Sequence, residues 1–177
     1  LCTTPIFISL ICLFLKKGKV RDSLLSYMAF VTILGSISTI IIPDSCLVSD
    51  ILVNIHTMWL HLGSFVVSVY LIMSGVVKLN KKNFFRAIYV FLGFVCIAFL
   101  MNIIVYNSGI LNGETFDMFY ISPYFISSLP VFDVIQESVC YVLFLLIYIV
   151  ALSLGAGIIY WISKFISICF RRCYFVF

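Results

Sequence analysis

The stretch from Ile51 to Val77, ILVNIHTMWLHLGSFVVSVYLIMSGVV, decides the fold. It carries no charged residue and is long enough, as a helix, to cross a hydrocarbon layer of about 30 Å, which takes roughly 20 residues. Read at helical period, Asn54, Thr57, His61, Ser64 and Ser68 follow at intervals of three, four, three and four. They form one polar stripe on an otherwise apolar rod. In lipid such a stripe turns toward other helices, because acyl chains offer a polar side chain no hydrogen-bond partner. The segment is one wall of a bundle.

The rest of the chain repeats the pattern. Its 177 residues are 64% hydrophobic and only 10% charged, with a mean hydropathy of +1.23, figures that exclude a free cytosolic enzyme. Cutting at the charged gaps leaves five apolar segments, at about 1–15, 23–42, 51–77, 87–106 and 139–163. The expected fold is an all-α membrane protein: a polytopic helical bundle of five transmembrane segments, forming one domain over 1–163, with a basic cytoplasmic tail at 164–177. The first segment is too short to span. With no initiator Met and no basic leader before Leu1, it reads as the remainder of a helix, and an upstream element is expected.

The formal net charge of +4 reflects topology rather than affinity for nucleic acid. The basic residues fall in three clumps, Lys16, Lys17, Lys19 and Arg21, then Lys78, Lys81, Lys82 and Arg86, then Lys164, Arg171 and Arg172. The positive-inside rule places all three in the cytoplasm. Six of the seven acids lie in the other gaps, which agrees but weighs little. The expected location is the plasma membrane, with membrane lipids as partners and no nucleic acid. The stretch 107–138 is then extracytoplasmic. Its Phe116, Phe119, Tyr120, Tyr124, Phe125 and Phe132, punctuated by Pro123 and Pro130, suit an interfacial or re-entrant segment, either an aromatic anchor or a lid.

The seven cysteines show no CxxC and no Cys/His metal spacing. His56 and His61 are offset by about 140° on a regular helix, so they would not aim at one metal ion. No metal and no cofactor are expected. Cys169 and Cys173 flank Arg171 and Arg172, where they are either plain interfacial thiols or sites of S-acylation.

Other segments also disclose inner faces. The first has Cys2, Pro5, Ser9 and Cys12, the second Thr32, Ser36 and Thr39, and the fourth a lone deep amide, Asn102. In the fifth, Ala151 with Gly155 and Ser153 with Gly157 have small-xxx-small spacing for close packing. Counted from the basic ends, Cys2, His61 and Asn102 lie at depths of roughly 20, 24 and 24 Å. A titratable group at such depth signals function, although a neutral histidine bonded to a facing helix fits equally. A buried thiol is inert without a base, and one sharing a level with an imidazole forms a nucleophile pair. A buried cysteine is also a common apolar filler.

The stretches LCTTPIF (1–7), NIHTMWLHLGS (54–64) and FDMFYISPYF (116–125) resemble the YwaF-like family of bacterial integral membrane proteins, which is similar to the eukaryotic transmembrane protein 164 group. The resemblance implies a bundle of six or seven helices. It also implies a lipid acyltransferase, in which Cys2 would accept the acyl group and His61, or failing it His56, would act as base. Asn54, Asn102, Asp117 and Ser122 are the candidate substrate contacts, with Asn102 as an oxyanion donor. The rival expectations are a small-solute binding or transport component built on the same polar cavity, and a non-catalytic structural subunit.

Overall fold

A computed structural model describes residues 4–43 and 47–174, with side chains to Cys169. The described residues form helices and loops and no strand. Four helices are long and apolar enough to cross a membrane, Lys19–Ile41, Ile51–Met73, Lys81–Asn107 and Tyr141–Cys169, and Thr4–Phe14 is a shorter apolar helix.

The helix Lys19–Ile41 is the centre of the bundle. It comprises α2 (Lys19–Tyr27), a π turn (Met28–Thr32) and α3 (Ile33–Ile41). Every residue from Ser26 to Ile33 is buried, and only a helix apolar on all sides, here YMAFV with small polar neighbours, suits that position. Around the π turn stand α1 (Thr4–Phe14), α4 (Ile51–Met73), α5 (Lys81–Asn107) and α7 (Tyr141–Tyr174), the last preceded by the short α6 (Phe132–Ser138). The expected inner face of Thr32, Ser36 and Thr39 is buried as the spacing requires.

Helix ends follow local chemistry. Asp50 caps α4 by accepting from the Leu52 and Val53 amides at 2.8 and 3.4 Å, and Asn80 caps α5 by accepting from Asn83 N at 2.8 Å. Those caps let α5 begin on Lys81, before the apolar run. At the far end α7 continues past Ser163 to Tyr174, because no Gly or Pro follows Gly157 to stop it. The basic 164–177 segment is therefore helical over its described part, with the Lys164 ammonium 5.3 Å from the Trp161 ring centroid.

Small residues set the approach of α7. A Cβ added at Gly155 would lie 2.6 Å from Leu34 Cδ2 on α3, so the expected close-packing surface meets the central helix. Near the same contact, Tyr160 stands edge-on to Phe30 at 5.7 Å and tilted against Phe84 at 5.4 Å, joining α7, the π turn and α5.

Candidate functional site

Of the α4 stripe, His61, Ser64 and Ser68 are buried, with Leu71 next to them, and Asn54 and Thr57 are half-buried. This face packs on α3 and the π turn. Ser68 Oγ lies 2.8 Å from the Met28 carbonyl and 2.8 Å from its own Ser64 carbonyl, tying α4 to the central helix where the π turn breaks the regular ladder. Two turns toward the start of α4, His61 is only 3% exposed, while His56 is exposed. The two histidines therefore occupy different environments. Among the described residues His61 Nε2 has no hydrogen-bond partner, and neither does Thr32 Oγ1 on the buried side of the central helix. Such orphan atoms are rare in folded proteins and each costs about 1–3 kcal/mol.

Cys2 lies outside the described residues, as does Cys46. The helix that follows Cys2 buries Thr4, Pro5, Ile8 and Cys12, while Ser9 is exposed. Its Thr4 hydroxyl lies 3.4 Å from the Tyr27 hydroxyl, and Ser9 Oγ reaches Met28 Sδ at 3.9 Å. Both α1 and α4 thus border the π turn.

The remaining candidate residues bond main chain. Asn54 accepts from Val48 N at 2.8 Å and donates to Val48 O at 2.7 Å. Asn102, 1% exposed, does the same to Met118, accepting from its amide at 2.8 Å and donating to its carbonyl at 3.1 Å. The Asp117 carboxylate accepts from Ser122 N at 2.7 Å, and burial pushes its pKa up to about 6. Ser122 is fully buried, and its hydroxyl accepts from Tyr124 N at 3.2 Å.

The two Asn102 bonds dock the stretch 107–138 onto α5, the Asp117 and Ser122 bonds fold that stretch on itself, and the Asn54 bonds hold the chain just before α4. Residues not singled out in the sequence complete the docking: Tyr148 donates to Phe119 O at 2.7 Å and Tyr141 to Ile121 O at 2.6 Å, while Gln136, inside the stretch, donates to Phe125 O at 3.0 Å. A signal existed, since Tyr141 and Tyr148 stand two turns apart on α7, each with a hydroxyl that needs a partner when buried. The held backbone is strained: Phe119 and Tyr120 have φ of 67° and 59°, a left-handed conformation uncommon outside glycine. The stretch is a docked plug that buries Phe119, Ile121, Ser122 and Ser127. Among the described residues no group of His, Cys, Asp and Glu could hold a metal ion.

A bundle of apolar helices around one helix enclosed along its middle, with a buried histidine on a polar stripe, defines a multi-pass membrane protein that contacts lipid. More specifically, the chain belongs to the TMEM164 family, whose model matches residues 1–160. Comparison with curated proteins and with solved structures gives no match.

Proposed function

We propose that the protein is a lipid acyltransferase of the bacterial plasma membrane that works through a Cys2 thioester with His61 as base. One observation carries this reading: His61 is buried in an apolar bundle with its Nε2 unpaired among the described residues. A histidine kept for packing ordinarily has its buried nitrogens bonded, whereas a proton shuttle needs one nitrogen open to the reacting group. Exposed His56 is the weaker choice. Membership of the TMEM164 family and the acyl transfer implied by the resemblance support the same assignment.

In the proposed reaction, the Cys2 sulfur attacks the carbonyl carbon of a phospholipid ester as His61 takes the thiol proton. The ester C–O bond breaks, the proton passes to the leaving lysolipid oxygen, and the acyl chain stays on sulfur. A second lysolipid hydroxyl, or water, then attacks the thioester, loses its proton to His61, and the proton returns to the sulfur. Lipid enters sideways from the bilayer. With the basic turns in the cytoplasm, the level counted along the sequence for Cys2 and His61 falls in the outer half of the membrane. Asn102 has one amide proton beyond its Met118 bond to offer an oxyanion, and Asn54, Asp117 and Ser122 shape the wall above the site.

The test is mass spectrometry of the purified protein after incubation with phospholipid. Wild-type protein should carry an acyl adduct on Cys2, Cys2→Ala none, and His61→Gln should acylate about 10²–10⁴-fold more slowly, with His56→Gln near wild type. An adduct that survives Cys2→Ala, or an unchanged rate in His61→Gln, contradicts the proposal. Of the other buried atoms with no partner among the described residues, Arg21 Nε, Thr32 Oγ1 and Tyr160 Oη, the Thr32 hydroxyl on the inner face of the central helix is the one that favours a solute-binding reading. That reading expects solute uptake to survive Cys2→Ala but to be lost with His61→Leu or Asn102→Leu.

A further inference from the structure

Far from His61, the start of α2, the 74–80 turn and the start of α5 enclose a pocket of about 300 Å³, a volume at the lower end of small-ligand sites. Its polar wall combines three cations, Lys78, Lys82 and Arg86, with one acid, Asp22, and two amides, Asn80 and Asn83. We infer that this pocket binds a phosphate ester of the kind borne by an anionic phospholipid headgroup. The inference is independent of the acyl-transfer reading, which it neither uses nor requires.

Arg86 is one of the three cations in that wall. Its side chain is 19% exposed, and its Nη1 donates to Asn83 Oδ1 at 3.2 Å. Asn83, 9% exposed, is fixed in turn, donating from Nδ2 to the Lys78 carbonyl at 3.1 Å while its own amide is capped by Asn80. The guanidinium is therefore held in place by neutral groups. Its nearest acid, Asp22, is 55% exposed and 3.7 Å away, beyond hydrogen-bond distance. An arginine kept for an ion pair normally grips its carboxylate with two parallel bonds. Here the Nε and Nη2 donors have no partner among the described residues, so the fork that matches two oxygens of a phosphate is open.

Position supports the same ligand. Arg86 lies roughly 24 Å along α5 from Asn102, so the pocket opens at the end of the bundle where the lysines gather. At that level of a bilayer the abundant anion is the lipid phosphate, and the exposed Lys78 and Lys82 are placed to draw it in. A free phosphate has the same oxygen geometry and is the other source of this chemistry.

The experiment measures the unfolding midpoint of the full chain in neutral detergent micelles titrated with phosphatidylglycerol, with phosphatidylcholine, or with inorganic phosphate. Phosphatidylglycerol should raise the midpoint and phosphatidylcholine should not. Lys82→Gln and Arg86→Gln should each weaken the apparent affinity about fivefold, and Asp22→Asn, which removes the competing acid, should strengthen it by a similar factor. Lys82 and Asp22 are exposed, so these two variants decide the matter even if Arg86→Gln fails to fold. Inorganic phosphate reproducing the shift with the same variant order assigns the pocket to the free ion. Equal shifts with both lipids, or a response unchanged in Lys82→Gln and Asp22→Asn, overturn the inference.

Discussion

Ser68 has one hydroxyl proton and two carbonyls within 2.8 Å, those of Met28 and Ser64. Only the Met28 bond joins two helices, so Ser68→Ala should lower stability by about 0.6–1.7 kcal/mol, the range for cross-helix bonds in membranes. Ser64→Ala should leave the unfolding midpoint in detergent nearly unchanged, because only its main-chain carbonyl takes part. His61 and His56 show how far single residues were legible. The interval of three and four that put His61 on the stripe also left His56 off it, and burial follows that division. The use of Asn54 and Asn102 was not legible: both bond main-chain groups of loops, which carry no side-chain signature.

At the level of elements, the docked stretch between α5 and α7 makes the sharpest predictions. Asn102→Ala would strand the Met118 amide and carbonyl, and should open residues 107–131 to hydrogen exchange and proteolysis while the helices stay protected. Its pH response has a definite sign. The Asp117 pKa is raised from 3.8 to about 6, so the folded protein holds that proton more tightly than the unfolded chain. Stability from this group therefore falls as pH rises from about 4 to about 6 and is level above that, and Asp117→Asn should abolish this part of the slope in thermal unfolding. Aromatic residues and prolines announced an interfacial segment. Its left-handed turn at Phe119 and Tyr120 was hidden, since neither residue type favours that backbone, and the Tyr148 and Tyr141 bonds to the carbonyls of Phe119 and Ile121 help to hold it.

For the whole molecule, the helical membrane architecture was readable because hydropathy and charge spacing depend on the bilayer rather than on partners. Which helix occupies the middle was not, because a run apolar on all sides looks the same facing lipid or facing protein. Burial resolves it: Ala29 is fully enclosed, whereas Trp59 is 76% exposed on the outside of α4. Ala29→Leu should cost about 1–3 kcal/mol by overpacking, and Trp59→Leu should change detergent stability little. The central helix also gives the proposed chemistry its frame, since α1, which follows Cys2, and α4, which carries His61, both border its π turn. The most direct test is oxidation of the His61→Cys protein followed by peptide mapping. Disulfide geometry requires Cα atoms within about 7 Å. A Cys2 peptide joined to the peptide bearing the new thiol is the predicted result. A free Cys2, or one joined only to other cysteines, would contradict a nucleophile and base that meet inside the membrane.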